Sequence, residues 1–351
     1  MARKVQHNLL HKAKKNKNDE FYTQFIDIES ELQHYKKHFK GKVVYCNCDD
    51  PFESNFFRYF VLNFNRLGLK SLITTSYKPS HVANSQIDLF GDNKNRPKKG
   101  RPKITANKFV INSVGNINED GSFSLQDIAE QLKANKHNEW EQLKGDGDFR
   151  SEECVELLKQ SDIVVTNPPF SLFREYVAQL VEYDKKFLII GNVNAITYKE
   201  IFKLIKDNKA WLGVNLGRGI SGFIVPDHYE LYGTEARIDK MGNRIVSPNN
   251  CLWLTNLDNS IRHEDIDLHK KYHGNESEYS EYDNYKGINV NRTKDIPLDY
   301  KGYMGVPITF LHKYNPEQFE IVKFRKGNDE KDLSINGKCP YFRIIIKNRR
   351  V

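Results

Sequence analysis

The sequence predicts an α/β fold with a doubly wound, mainly parallel sheet and a smaller α+β region at the C-terminus. Short apolar runs alternate with segments whose apolar residues recur at helical spacing, from about residue 25 to residue 214. Such alternation indicates parallel strands joined by helices that cover both faces of the sheet. Beyond residue 254 the chain becomes polar before two further apolar runs, at 306–311 and 341–346, which indicates a separate smaller unit.

Each predicted strand and helix rests on a local pattern of apolar residues. Strands are predicted where short runs of apolar, mostly β-branched or aromatic residues occur, at 43–46, 72–73, 109–111, 163–165, 187–190 and 211–214. Helices are predicted where apolar residues recur three or four positions apart, at 28–35, 56–64, 155–158, 173–180 and 198–205. Parallel sheets of this type bind ligands outside the carboxyl ends of their strands, so those ends are where a site is expected.

The composition favours a folded chain with a polyanionic partner. Its 351 residues include 54 Lys and Arg against 46 Asp and Glu, which gives a net charge of +8 and a pI near 9.0. No apolar run is long enough to span a membrane and the N-terminus lacks the apolar core of a signal peptide, so a cytoplasmic location is expected. Its five cysteines have no zinc-site spacing, so reduced structural thiols and no metal are expected.

Two strongly basic segments are candidates for DNA contact. Residues 1–18 form a basic arm that includes Lys14 and Lys15, and residues 78–107 form a basic insertion in which Arg101 lies in Gly-Arg-Pro. An Arg-bearing extended segment of this kind suits a narrow minor groove. The alternatives are a solvated tail for 1–18 and a solvated basic loop for 78–107. The predicted organisation is the arm at 1–18, a larger α/β domain at 19–255 that contains the insertion, and a smaller region at 256–351.

The segment Thr-Asn-Pro-Pro-Phe at 166–170 follows the apolar run 163–165 and carries the most specific chemistry in the chain. The side-chain oxygen of Asn167 and the main-chain carbonyl of Pro168 are two acceptors for the two N–H bonds of a planar amine. Pro168 and Pro169 fix the backbone and donate no N–H, and the ring of Phe170 can stack on a base. The turn therefore predicts a site that binds an exocyclic amine through two hydrogen bonds. A Pro-rich turn with Phe170 in the core is the alternative.

With these residues the chain resembles the adenine-specific DNA methyltransferases of type II restriction–modification systems. The resemblance covers nearly the whole chain and is weakest at 78–135. It rests on Asp-Glu-Phe-Tyr-Thr-Gln at 19–24, Val-Val-Tyr-Cys-Asn-Cys-Asp-Asp-Pro at 43–51, Gly-Asp-Gly-Asp-Phe-Arg-Ser at 145–151, and the segments 166–175 and 302–324.

The resemblance implies the class I methyltransferase fold and transfer of a methyl group from S-adenosylmethionine to adenine N6. The target base would leave the helix, because N6 is paired and stacked inside a duplex. The family members that the chain resembles most imply the inner adenine of GAATTC as the target, methylated to protect DNA from a cognate endonuclease. The implied partner is duplex DNA. The resemblance also implies that 19–255 is the cofactor-binding catalytic domain and that 256–351, together with 217–249, recognises the target. We expect a monomer without an obligate protein partner.

The resemblance also assigns cofactor contacts, residue by residue. It implies the methionine carboxylate near Tyr22 and Thr23 and the adenine near Asp148 and Phe149, with Asp146 as a rival for the acceptor role. For Thr23 the alternative is a helix N-cap, a role that Asp27 could take instead. The loop after the first strand would hold the ribose and methionine end of the cofactor through Cys46, Asn47, Asp49, Asp50 and Pro51.

Two alternatives stay open at this point. The loop 46–50 contains no glycine, and no acid follows the apolar run 72–73, although both features are usual for cofactor binding in these enzymes. These departures favour a DNA-binding protein with a degenerate methyltransferase fold. The Asn-Pro-Pro-aromatic pattern is equally suited to a glutamine amide, which favours a protein N5-methyltransferase.

Overall fold

The computed structural model describes residues 22–49, 54–76, 106–115, 137–215, 222–225, 231, 236–240, 242–246 and 250–351. The chain forms two compact units, the first made of residues 1–195 and 215–257 and the second of 196–214 and 258–351. The segment 196–214 is therefore grouped with the C-terminal residues. Whether 256–351 recognises the target is a separate, functional matter and stays a prediction.

The described strands and α-helices are numbered in chain order. The strands are β1 (Tyr22–Thr23), β2 (Val43–Asn47), β3 (Ser71–Thr75), β4 (Asn107–Ile111), β5 (Glu139–Gln142), β6 (Ile163–Thr166), β7 (Lys186–Asn192), β8 (Trp211–Leu212), β9 (Phe223–Val225), β10 (Arg237–Ile238), β11 (Arg244–Val246), β12 (Cys251–Thr255), β13 (Glu281–Tyr282), β14 (Tyr285–Asn289), β15 (Tyr303–Pro307), β16 (Phe319–Phe324) and β17 (Arg343–Asn348). The helices are α1 (Phe25–Leu32), α2 (Asn55–Leu62), α3 (Phe64–Leu67), α4 (Glu152–Gln160), α5 (Phe173–Glu182) and α6 (Lys199–Lys206).

The first unit is built on a mixed sheet with the strand order β5-β4-β3-β2-β6-β7-β12. The four central strands, β3, β2, β6 and β7, are parallel, which confirms the predicted α/β class. The outer strands β4, β5 and β12 run antiparallel to their neighbours. Every residue of β3 and β6 is buried, whereas burial alternates along β4, as expected for a strand covered on one face.

The strand β12 was missed by sequence reasoning, although it is buried at all five positions. Its sequence, Cys-Leu-Trp-Leu-Thr, is a short apolar run, so a strand could have been predicted here. The ring of Trp253 packs edge-on against Phe56 of α2, with a centroid distance of 6.0 Å. The strand thus contributes to the core of the first unit.

Close packing against the sheet fixes the helix that follows the Asn-Pro-Pro-Phe turn. Helix α5 starts at Phe173, whose ring lies directly over Gly191 of β7. A Cβ atom at position 191 would lie 2.5 Å from Cε2 of Phe173, so the ring would have to shift away from the sheet. This glycine lets the start of α5 approach the sheet closely.

A small antiparallel sheet, β1-β9-β11-β10, completes the described part of the first unit. Thr23 of β1 is paired with Phe223 of β9, and the side-chain amide of Gln24 donates to the carbonyl of Gly222 at 3.0 Å. Sequence reasoning did not predict this sheet, because its strands are only two or three residues long.

The second unit contains a five-stranded sheet with the order β13-β14-β15-β17-β16, together with helix α6. Phe202 of α6 stacks on Phe324 of β16 at a centroid distance of 4.9 Å. The buried residues Ile344, Ile345 and Ile346 form the centre of β17. A smaller C-terminal unit is therefore present, but its one described α-helix, α6, comes from 196–214 and not from the predicted range 256–351. In the described part of the chain, no helix is both long and apolar enough to cross a membrane.

Candidate active site

The loop after β2 and the Asn-Pro-Pro-Phe turn after β6 lie at the same edge of the main sheet. The two strands are parallel neighbours, so their carboxyl ends meet. Thr166, the last residue of β6, has its hydroxyl within hydrogen-bonding distance of the carbonyl oxygen of Asn47 and the carboxylate of Asp49. Thr166 is fully buried, and Asn47 and Asp49 are buried as well. The loop and the turn are therefore held together by buried polar contacts.

The turn itself leaves an acceptor available. The carbonyl of Pro169 accepts a hydrogen bond from the N–H of Leu172 at 3.0 Å, which starts a short 3-10 helix at Phe170. Among the described residues, no hydrogen bond to the carbonyl of Pro168 is found. Pro168 is buried, whereas Asn167 is partly exposed. Within the described part of the chain, the short helix that follows thus uses the carbonyl of Pro169 and not that of Pro168.

The ring of Phe170 is partly exposed and packs edge-on against Phe223, with a centroid distance of 6.1 Å and an interplanar angle of 73°. Phe223 is fully buried and belongs to β9, which pairs with the strand that carries Thr23. The small sheet therefore links the predicted position of the methionine end to the predicted wall of the base site. Sequence reasoning placed 217–249 in target recognition and did not identify this role of Phe223.

The two N-cap interpretations weighed for Thr23 and Asp27 are both wrong. Helix α1 starts at Phe25, and its N-cap residue is Gln24, which makes no side-chain capping bond. The backbone carbonyl of Thr23 accepts from the amide of Asn55 at 2.9 Å. Its hydroxyl oxygen is buried and has no hydrogen-bond partner among the described residues. A buried hydroxyl without a partner is costly, which points to a ligand group at this position.

The glycine-free loop after β2 is stabilised by hydroxyl groups from neighbouring elements. The hydroxyl of Thr74 lies 2.9 Å from the carbonyl oxygens of both Cys46 and Asp49. Ser54 donates to the Asp49 carboxylate at 3.0 Å and also caps α2. Cys48 adopts a left-handed backbone with φ of 65°, a conformation usually taken by glycine.

Neutral thiols line this loop. Burial, and to a lesser extent the Asp49 carboxylate, raises the pKa of the Cys46 thiol and of the Cys48 thiol well above the ordinary value. Both cysteines therefore stay protonated near neutral pH. They bring no second negative charge to the loop beside Asp49.

The segment 146–150 forms a third part of the site. Arg150 binds both carboxylate oxygens of Asp148, at 2.9 and 2.7 Å, and this hydrogen bonding lowers the pKa of Asp148. Asp146 accepts from the backbone N–H of Asp148 at 3.1 Å. Both acids are thus engaged within the protein, and the geometry does not choose between them as a partner for an adenine amine.

Phe149 is buried between Tyr176 and Arg150. Its ring meets the edge of the Tyr176 ring at 5.0 Å, and the guanidinium carbon of Arg150 lies 5.3 Å from its centroid. Gly147, with φ of 75°, lies so close to Ser76 that a Cβ would be 2.0 Å from its carbonyl oxygen. The segment therefore passes directly against the end of β3.

Several residues that organise the site were not predicted as site residues. Thr166 directly precedes the turn, and Tyr176 lies in the helix that follows it. Thr166 could have been identified from the sequence, because it belongs to the segment 166–175 on which the family resemblance rests. Ser54 and Thr74 carried no local signal, because their role depends on contacts across the fold. The predicted residues Lys14, Lys15, Asp50, Pro51 and Arg101 lie outside the described residues, and for Tyr22 only the strand pairing is described.

Comparisons with known proteins match almost the entire chain. The family model described as adenine-specific methyltransferase EcoRI matches residues 9–349. The type II methyltransferase M.EcoRI of Escherichia coli is 63% identical over 351 residues, covering 100% of this chain and 99% of that protein. No solved structure matches.

Two relatives from mycoplasmas are more distant. The type II methyltransferase M.MgeORF184P of Mycoplasma genitalium is 36% identical, and M.MpnI of Mycoplasma pneumoniae is 35% identical. In both alignments 97% of this chain and 98% of the relative are covered. The similarity therefore includes both compact units as well as the site.

Proposed function

The chain belongs to the EcoRI family of adenine-specific type II DNA methyltransferases, and from this we propose that S-adenosylmethionine is its methyl donor and the inner adenine of GAATTC its target. The structural observation that supports this proposal most directly is the joining of the Asn-Pro-Pro-Phe turn to the loop after β2 through Thr166. A methyl donor and an amine acceptor must meet, and these two segments meet at one edge of the sheet.

The residues at this edge fit S-adenosylmethionine. The buried hydroxyl of Thr23, which has no partner among the described residues, suits a carboxylate oxygen of the methionine end. The segment 46–51, which ends β2 and forms the loop after it, would hold the ribose and methionine portion, with Asp49 held by Ser54. Asp148 or Asp146 would accept from the adenine amine beside Phe149. When bound, the cofactor supplies an electrophilic methyl group on a sulfonium sulfur.

The chain's own residues contribute to the chemistry by binding and orienting adenine N6. The nitrogen lone pair is delocalised into the ring, so N6 must move toward tetrahedral geometry before it can attack a methyl group. The Asn167 side-chain oxygen and the Pro168 carbonyl would accept its two hydrogens and favour that geometry. Phe170, whose ring packs edge-on against Phe223, would stack on the face of the base. No Ser or Cys nucleophile is required.

Flipping of the target base follows from the same geometry. In a duplex, one N6 hydrogen is used in base pairing and the base is stacked, so the two acceptors could not bind both N6 hydrogens there. Extrusion costs a few kcal/mol of unstacking, which the stacking on Phe170 and the two hydrogen bonds would partly offset. We further propose that the enzyme is a cytoplasmic monomer. It would methylate the two halves of the palindromic site in separate binding events.

A single assay separates this proposal from its alternatives. The protein is incubated with methyl-labelled S-adenosylmethionine and a duplex that contains one GAATTC, or a control duplex with the same bases in scrambled order. We expect N6-methyladenine only in the first duplex, together with protection against a nuclease that cuts GAATTC. Equal label in both duplexes would overturn the target.

The other outcomes identify the two alternatives that the sequence left open. Label in protein alone would indicate a glutamine N5-methyltransferase. Retention of DNA without transfer would indicate a DNA-binding protein with a degenerate methyltransferase fold. The matches to methyltransferases over the full chain speak against both.

A further inference from the structure

Helix α5, which follows the Asn-Pro-Pro-Phe turn, contacts Asn47 at the end of β2, where the loop begins, and the segment 146–150. Glu175 binds Arg150 at 2.9 Å, and the side-chain amide of Gln179 donates to the carbonyl of Phe149 at 3.1 Å. Tyr176 lies between these two positions. One face of α5 is therefore directed at segments that the proposed function assigns to cofactor binding.

Tyr176 contacts both of these segments with one side chain. Its hydroxyl donates to the side-chain oxygen of Asn47, and its ring meets the ring of Phe149 edge-on at 5.0 Å and 71°. Tyr176 and Asn47 are separated by 129 positions in the chain. A rigid aromatic side chain that touches both segments fixes their separation, which neither segment can do alone.

The hydrogen bond also orients the Asn47 amide. Because the side-chain oxygen accepts from Tyr176, the NH₂ group is directed elsewhere and can donate only to another acceptor. Asn47 is 1% exposed, so an incorrectly oriented amide could not be compensated by bulk water. The hydroxyl and carboxylate oxygens of the methionine and ribose portions are acceptors of the required kind. Burial raises the pKa of Tyr176 well above its ordinary value, so the phenol stays a donor near neutral pH.

We propose that Tyr176 is a positioning residue for the methyl donor, which orients Asn47 and sets the spacing between the loop after β2 and Phe149. The proposal rests on the proposed function, because it takes S-adenosylmethionine as the group that these segments hold. Tyr176 itself is fully buried and need not touch the cofactor.

Replacement of Tyr176 by Phe separates the hydroxyl from the ring. The substitution keeps the edge contact with Phe149 and removes only the hydrogen bond to Asn47. Loss of a buried hydrogen bond that leaves its acceptor unpaired corresponds to roughly a 5- to 150-fold change in an equilibrium constant. We therefore expect the KM for S-adenosylmethionine to rise by about that factor, while kcat stays within about twofold and DNA affinity is unchanged.

The experiment uses the full-length protein and four variants: Tyr176→Phe, Asn47→Ala, the double variant and Tyr183→Phe. Tyr183 follows the last residue of the same helix, and its ring faces Lys159 instead of the site, so it controls for loss of a tyrosine hydroxyl from α5. Steady-state kinetics give KM and kcat, and titration calorimetry with S-adenosylhomocysteine gives a dissociation constant that is independent of turnover. All constants are compared at a temperature at which every variant retains the wild-type circular dichroism spectrum.

The expected result is a weaker S-adenosylhomocysteine affinity in Tyr176→Phe, wild-type affinity in Tyr183→Phe, and a double variant no weaker than Asn47→Ala. Additive effects of the two substitutions would overturn the proposal, because Tyr176 would then not act through Asn47. Wild-type constants in Tyr176→Phe would overturn it as well. An absence of methyl transfer by the wild-type protein would instead contradict the proposed function, so the two failures are distinguishable.

Discussion

The hydroxyl of Thr166 lies within hydrogen-bonding distance of the carboxylate of Asp49, although 117 positions separate them in the chain. Thr166 is the last residue of β6 and directly precedes Asn167. Asp49 lies in the loop after β2. Because both residues are buried, this contact connects the proposed base-binding turn to the proposed cofactor-binding loop. Buried polar contacts resist rearrangement, so the relative position of turn and loop is set before any ligand binds.

Replacement of Asn167 by Ala should remove one of the two acceptors for adenine N6. We expect kcat to fall by about 10²- to 10³-fold, as for loss of a single transition-state hydrogen bond, while DNA affinity changes little. Single-turnover methylation and a gel-shift titration measure the two quantities. Asn194→Ala, at an exposed asparagine beyond β7, is the matched control. Near-normal turnover in Asn167→Ala would rule out the proposed role of the side-chain oxygen.

Replacement of Thr166 by Val keeps the shape of the side chain and removes the hydroxyl. The Asp49 carboxylate then loses a buried partner, which costs roughly 1–3 kcal/mol of stability. We expect a higher KM for S-adenosylmethionine together with a lower kcat, because Thr166 touches the loop and precedes the turn. Thr166→Ser, which keeps the hydroxyl, should restore most of both constants. Equal activity of the Val and Ser variants would contradict the coupling of loop and turn.

Ser54 and Ser151 cap different helices, and only Ser54 contacts Asp49. Ser54 accepts from the N–H groups of Phe56 and Phe57 and donates to the Asp49 carboxylate, whereas Ser151 accepts from the N–H of Cys154. Each Ser→Ala change should lower the free energy of unfolding by about 1 kcal/mol through loss of the cap. Only Ser54→Ala should also raise the KM for S-adenosylmethionine. A parallel effect of Ser151→Ala would mean that the KM reports general destabilisation.

Gly147 and Gly41 have similar backbone angles but different surroundings. Their φ values are 75° and 71°, and a Cβ at Gly147 would lie 2.0 Å from the Ser76 carbonyl oxygen, whereas nothing lies within 4 Å of a Cβ at Gly41. Gly41→Ala should cost about 1 kcal/mol, the strain of a left-handed alanine. Gly147→Ala should cost several kcal/mol more, or displace segment 146–150 and weaken cofactor binding. Urea unfolding of both variants tests this difference, and equal costs would contradict the close approach.

The Asp148–Arg150 pair should make a small, pH-dependent contribution to stability. Hydrogen bonding to Arg150 lowers the pKa of Asp148 in the folded protein, so the contribution is present above the unfolded value of about 3.9 and is lost as pH falls through the folded-state pKa. Because the Arg150 side chain is 49% exposed, we expect less than about 1 kcal/mol at pH 7. Unfolding of wild type and Arg150→Gln at pH 7 and pH 3 measures it. A difference that grows toward low pH would contradict this sign.

Much of the fold was predictable from the sequence because its signals are local. The runs at 43–46, 163–165 and 187–190 became the parallel strands β2, β6 and β7, since burial on both faces requires continuous apolar residues. The strand β12 and the small sheet around β9 were missed. Short strands acquire their structure from their partners, and their sequence pattern is too brief to show it.

The sequence by itself determined the chemistry of the turn, because Asn-Pro-Pro-Phe contains its acceptors, its rigid backbone and its ring within four consecutive residues. Which segments meet that turn was decided by the tertiary structure. Strand order brought Asp49 and Asn47 to Thr166 and Tyr176, and the pairing of β1 with β9 brought Thr23 and Phe223 toward the site. Contacts across more than a hundred residues depend on how strands are arranged in a sheet, and no local pattern encodes that arrangement.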